Sequence, residues 1–205
     1  MLTASGKLSI RIIGNGNLIK LEKGIELINS SELLLVGDGI NITIGKDCRL
    51  SHVEISCHAQ SSVKIGDKTT VGSGTTMKTH ANSAIIIGKD CMFSWNVRLQ
   101  TGDGHSIFDS STGERINRYD RNTIELGEHV WIGRDAMILS GRRTFVNRGS
   151  IIGANSCVKG NYMINNVAIA GNPGRVIREN IAWSRNPDAE SIEQCNGYSE
   201  LSQPE

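Results

Sequence analysis

An all-β chain wound as a parallel solenoid is the fold class this sequence predicts, and three observations predict it. Aliphatic residues return every six positions, as in Ile65, Val71 and Met77 or in Leu126, Ile132 and Ile138. Glycine often stands directly after them, as in Gly45, Gly66, Gly72, Gly88, Gly127, Gly133 and Gly153. Only 4% of the residues are aromatic whereas 23 are glycine, so a core must come from stacked aliphatic side chains. A helix spaces its apolar residues three and four apart and an amphipathic strand alternates them; neither yields a period of six. A short-period solenoid does, with each hexad forming one side of a coil and its first residue pointing inward onto its counterpart in the next.

Taken in order, residues 7–43 carry short apolar runs, Ile10 to Ile13, Leu18 to Leu21, Ile25 to Ile28 and Leu33 to Val36, separated by Gly, Asn and Ser. They read as short strands joined by turns. The strict register begins at Ile44 and runs through Leu50, Ile65, Val71, Met77, Ile87, Phe93 and Leu99. Residues 100–123 then break it with a polar segment rich in Gly, Asp, Ser and Arg that contains His105. A long loop inside a rigid repeat is a favoured place for function. The register returns at Leu126, Ile132 and Ile138, lapses over Arg142 to Ser150, and resumes at Ile152 and Val158, displaced by two. Residues 1–184 are expected to form one domain, 179–184 its short cap, and 185–205 an exposed polar tail.

Composition narrows the function classes. A net charge of +1 gives no reason to expect nucleic acid or an anionic membrane as the main partner. No apolar run approaches the length of a membrane span, and the N-terminal stretch lacks the pattern of a cleaved signal, so a soluble, cytoplasmic protein is expected. Five cysteines without compact spacing argue against a disulfide framework, and Cys48 and Cys91, each in the fifth place of a hexad, read as small core residues. No cluster of Cys or His has metal-ligand spacing, and no metal is expected. His129 reads as a solvated turn residue.

The pattern resembles the hexapeptide-repeat family, whose hexads build a left-handed parallel β-helix of triangular section, three hexads to a coil. The resemblance covers residues 44–178 well and 7–43 loosely. The closing segment, Val167 to Arg178 (VAIAGNPGRVIR), is similar to the one that ends acetyltransferase members. The order of parts, a loop histidine, about twenty polar residues and then Val130-Trp131-Ile132-Gly133, resembles the maltose, galactoside and capsular-sugar O-acetyltransferases.

The resemblance implies that His105 is the base and that Trp131, expected to point outward from the sixth place of its hexad, lies beside it. It implies acetyl-coenzyme A as donor, held along a groove of a homotrimer by Arg134, Ala154, Asn155, Lys159, Arg175 and Arg178. Acyl transfer from a thioester to a hydroxyl needs a base, an oxyanion donor and a channel for the thioester. Trp95 and Asn96, just before the loop, are expected to edge the acceptor cleft, with Asn96 a candidate oxyanion donor; His80 is a candidate from a neighbouring subunit, and Asp103 or Asp109 a candidate partner of His105.

The acceptor is read from local charge. Arg115, Arg118 and Arg121 lie in the loop, and Arg142, Arg143 and Arg148 follow Ser140, although the chain is nearly neutral. Arginine binds carboxylate bidentately, so an acidic glycan is expected. This agrees with the resemblance to sialic acid polymer O-acetyltransferases. Two alternatives stay open: a sugar N-acetyltransferase, and a non-catalytic β-helix that binds or scaffolds.

Overall fold

The computed structural model describes residues 8–117 and 121–195. Twenty-two short strands form three sheets of seven, seven and eight strands. The chain visits the sheets in rotation, so they are the three faces of a triangular solenoid. The first face runs from Leu8–Ile13 to Cys157–Val158, the second from Leu18–Leu21 to Asn161–Tyr162, and the third from Glu26–Leu27 to Arg175–Arg178. Among the described strands, all pairings within the three sheets are parallel except the last, in which Arg175–Arg178 turns back antiparallel on Ala168–Ala170. Among the described residues there is no α-helix, and no helix is long and apolar enough to cross a membrane.

The repeat now has its physical cause. Ile44, Leu50, Ile65, Val71, Met77, Ile87, Phe93, Leu99, Leu126, Ile132, Ile138, Ile152 and Val158 are all buried in one continuous core. Burying a side chain of this size contributes on the order of 1.5–3 kcal/mol. The glycine after each aliphatic residue is a matter of space: a Cβ on Gly66 would stand 2.5 Å from the carbonyl carbon of Gly88, and one on Gly88 would stand 2.5 Å from the carbonyl oxygen of Gly127. Only a bare Cα lets successive coils approach so closely. Fifth-place residues complete the corner, with Cys48 Sγ, Thr69 Oγ1 and Cys91 Sγ donating to the carbonyls of Gly66, Gly88 and Gly127. Cys48 and Cys91 are fully buried, and burial pushes the Cys91 thiol up to about 12.

Three features differ from the sequence reading. The coils before the loop are longer than three hexads supply, since Thr76 pairs with Arg98, 22 positions on. The surplus is a wide corner between the first and second faces, where buried hydroxyls meet: Ser61 with Thr79 and Ser83 with Thr101, each 2.7 Å apart. Residues 7–43 are also less distinct than they read, because Leu8–Ile13 and Leu18–Leu21 already pair in register with Ser31–Val36 and Asn41–Ile44. Finally, the lapse after Ser140 is no irregularity. Arg143–Val146 is an ordinary strand paired with Thr123–Leu126; its inward residues are Thr144 and Val146, and a buried threonine hides the aliphatic repeat.

Candidate active site

The loop leaves the solenoid at the wide corner between the first and second faces, after Arg98–Gln100 and before Thr123–Leu126. Its path is fixed by side chains as well as by backbone. Asn117 Oδ1 accepts from the Ile107 N–H at 2.6 Å, and Asn117 Nδ2 donates to the carbonyl of His105 at 2.7 Å and to Asp103 Oδ2 at 3.2 Å. Phe108 and Arg115 form a bridge beyond this clamp, and Asp109 caps the turn through Ser111 and Thr112. Hydrogen bonds from Ser111 hold the Asp109 carboxyl below its ordinary value. The carboxylate is thus committed to the turn. His105 itself is exposed.

Beneath the loop lies His80. Its backbone N–H donates to Thr101 Oγ1 at 2.9 Å, its ring stacks on His58 with centroids 5.9 Å apart, and a Cβ on Gly104 would lie 4.0 Å from its Nε2. Burial, together with the neighbouring His58, lowers its pKa against the pull of Asp103. A neutral imidazole therefore supports the loop root at neutral pH.

Trp131 is elsewhere. It is the outward residue of Trp131–Ile132 on the third face, and in a triangular solenoid that face lies opposite the corner from which the loop emerges. Its Nε1 lies 3.4 Å from Ser94 Oγ. The adjoining groove is lined by Trp95, Trp131, Gly133, Arg134, Ile151 and Ala154. The Arg134 guanidinium sits over the Trp95 ring, 4.5 Å from its centroid. Asn96, Asp135 and Asn155 take positive φ of 57–58° at this corner, a conformation that Asn and Asp tolerate best among residues with a side chain. Turn geometry thus accounts for the residue types of Asn96 and Asn155.

The sequence-predicted residues therefore fall into two groups on each chain. His105, Arg142 and Lys159 share the wide corner between the first and second faces, with Arg143 beside it on the second. Trp95, Asn96, Trp131, Arg134, Ala154 and Asn155 share the third face and its corner with the first. Arg175 and Arg178 are exposed on the last strand of the third face. Arg143 bonds Glu125 at 2.8 Å and lies over Phe145, which leaves Arg142 as the less committed of the two. Arg115 Nε donates to the carbonyl of Asn117, while Arg118 lies outside the described residues. Among the described residues no group of three or more His, Cys, Asp or Glu is placed to hold a metal ion.

Sequence reasoning missed a third cluster. His129 is buried, not solvated: its Nδ1 lies 2.7 Å from Asp90 Oδ2, and Trp183 covers it. The expected tail is correspondingly not free at its start, because Arg185 bonds Asp90, Thr70 and the carbonyl of Cys91, while Trp183, in the segment expected as a short cap, is only 5% exposed. A tryptophan and an arginine two apart within polar text were the available signal. Asn117, too, was legible only as a polar loop residue.

The chain is a triangular hexapeptide solenoid with a histidine-bearing loop at one corner and a Trp-lined groove on the opposite face, and the comparisons show that it belongs among the acyltransferases built on this scaffold. No family model matches the chain. It is 32% identical over 176 residues to a polysialic acid O-acetyltransferase of Neisseria meningitidis, covering 86% of this chain and 79% of that one. A polysialic acid O-acetyltransferase of Escherichia coli O1:K1 is 33% identical over 141 residues, 67% of this chain and 44% of the relative. Among solved structures, the polysialic-acid-specific acetyltransferase NeuO superposes with a TM-score of 0.77 at 29% identity, covering 95% of this chain and 90% of that one. The polysialic acid O-acetyltransferase OatWY gives 0.60 at 26% identity, covering 96% and 99%. The chain belongs to the hexapeptide-repeat acetyltransferase family, in its left-handed β-helix form, and is an acyltransferase.

Proposed function

We propose that the protein transfers an acetyl group from acetyl-coenzyme A directly to a hydroxyl of an acidic, sialic-acid-type glycan of a capsule or O-antigen. The observation that carries this reading is the loop: an exposed imidazole on a residue whose own carbonyl, and the Ile107 N–H that follows it, are both held by Asn117. His105 takes the acceptor hydroxyl proton as the oxygen attacks the thioester carbonyl. The tetrahedral intermediate collapses to the sugar ester and coenzyme A thiolate, and the proton on His105 passes to the thiolate. No acetyl-enzyme is formed.

The separation of the two residue groups supports a shared site, in which the loop of one copy approaches the third-face groove of another. Exposed Ile107, Phe108 and Ile116 on the loop are apolar surface suited to such a contact. A homotrimer working in the cytoplasm, where acetyl-coenzyme A is available, completes the proposal. In it Arg134 and the cations at the end of the third face, Arg175 and Arg178, meet the coenzyme phosphates, and Arg142 meets the acceptor carboxylate.

The test is product analysis with the purified protein, acetyl-coenzyme A and a panel of polysialic acid, neutral glycans and amino sugars. O-acetylated sialic acid is expected, and His105→Ala should lower turnover about a hundredfold or more. Preferential acetylation of amino groups would move the assignment to N-acetyl transfer. Donor hydrolysis and transfer both independent of His105 would remove it.

A further inference from the structure

After the last solenoid strand the chain doubles back. The N–H of Ile181 donates to the carbonyl of Asn166, Trp183 stacks on His129 with ring centroids 3.9 Å apart, and Arg185 reaches Asp90 and Thr70. Asn166, Gly149, His129 and Asp90 are the positive-φ residues of the corner between the second and third faces in four successive coils, and the strap contacts the first, third and fourth of them. Residues 181–185 therefore descend that corner as a strap across successive coils.

The strap borders the face that carries Trp131. Along the outer surface of the third face, Thr70, Met92, Trp131, Ile151 and Ala168 stand in register. The far edge of this row is the Trp95–Arg134 corner. The near edge is the strap, whose Trp183 ring lies 6.0 Å from that of Trp131 at 43°. Arg185 Nη1 donates at 2.9 Å to Thr70 Oγ1 in the same row. The Trp131 indole is thus held between Ser94 on one side and Trp183 on the other.

We infer that Trp183, locked by Arg185 onto Asp90, is a positioning residue for Trp131, and that the strap is the second wall of the third-face groove. The chemistry that fits a groove with an apolar floor and a cationic far wall is a long, thin acyl-thioester arm ending in phosphates. This rests on the proposed reading of that groove as the donor site. A strap serving folding alone would have no reason to put its buried tryptophan against an outward residue of the groove floor, because the core is already closed beneath Ile132 and Ile152.

The experiment measures donor and acceptor KM separately, in the full-length protein, for Trp183→Leu, Trp183→Phe, Arg185→Gln and Trp131→Ala. Trp183→Leu should raise the acetyl-coenzyme A KM about tenfold and leave the acceptor KM within about twofold, with Trp183→Phe recovering most of the loss through its retained ring. Arg185→Gln, which alters only the anchor, should raise the donor KM in the same direction by about threefold and serves as the test if Trp183→Leu does not fold. Unchanged donor KM in the folded strap variants, or an equal rise for both substrates, overturns the inference. If Trp131→Ala still impairs the enzyme in that case, the strap inference alone fails; if Trp131→Ala is also neutral, the donor-groove reading fails with it.

Discussion

Trp183 and His129 are joined face to face, their rings 10° from parallel, and each bonds the other's backbone: Trp183 Nε1 donates to the His129 carbonyl at 3.0 Å, and His129 Nε2 lies 3.1 Å from the Trp183 carbonyl oxygen. Asp90 ties this pair to Arg185, with 2.7 Å to His129 Nδ1 and 2.9 Å to Arg185 Nε. Burial works against the Asp90 carboxylate, but the bonds from His129 and Arg185 outweigh it and hold its pKa below the ordinary value of 3.8.

Asp90→Asn is expected to release the strap. A charge-assisted bond of this kind contributes about 1.5–3 kcal/mol when sheltered, and the lower end applies here because Asp90 is partly exposed. The sign of the pH effect follows from the depressed pKa: the contribution is complete above the unfolded carboxylate value and is lost as pH falls through the lower folded one. Trypsin cleavage after Arg185 measures the release. It should be slow in the wild type at neutral pH and fast in Asp90→Asn.

The loop root carries a pH dependence of the opposite origin. His80 has a folded pKa below the ordinary histidine value of 6.5 because of burial and of His58, so below pH 6.5 the unfolded chain binds the proton more readily. Stability is therefore lost as pH falls through 6.5, down to the folded value. Melting temperatures followed from pH 7.5 to pH 5 should fall less steeply for His80→Gln than for the wild type. Equal slopes would show that His80 does not carry the dependence.

Trp131 and Leu99 make a paired contrast. Leu99 is inward and fully buried, so Leu99→Ala should cost about 2–5 kcal/mol of stability. Trp131→Ala, at an outward position, should lower activity while shifting the melting temperature by only a few degrees, about what a loss near 1 kcal/mol gives. Thermal denaturation beside steady-state kinetics separates the two.

Arg142 and Arg143 should part company in the same kind of assay. Arg143 is paired with Glu125, whereas Arg142 is exposed at the corner that bears the loop. Arg142→Gln is expected to raise the acceptor KM about tenfold, as loss of one charged contact would, and Arg143→Gln to raise it less. A loss confined to the donor would remove the acidic-acceptor assignment.

The fold was legible because its determinants are local and repeated. Inward residues stand in register from coil to coil, and repeat glycines such as Gly45, Gly66, Gly88 and Gly127 abut one another in turn, so a period in the sequence is a column in space. The corners were less legible. Thr79 and Ser83 at the wide corner are polar and buried, and Thr144 takes an aliphatic position, so none of them announces itself in an apolar pattern. Asn96 and Asn155 drew attention as functional candidates, yet a positive φ at the corner accounts for both. His129 and Trp183 were unreadable for another reason: their partners lie 54 positions apart in the chain, joined by a corner and a returning strap that no short-range pattern encodes.

In the proposed site one copy's His105 works with another copy's Trp131, because a single chain holds them on opposite sides of the solenoid. Subunits bearing His105→Ala and subunits bearing Trp131→Ala are each expected to be nearly inactive. Unfolded together in equal amounts, refolded and assayed for acetyl transfer to polysialic acid, they should form mixed assemblies in which about a quarter of the interfaces join an intact His105 to an intact Trp131. Activity should then rise to about a quarter of wild type. Activity no greater than the sum of the two parents, in assemblies shown to be mixed, would contradict the shared site.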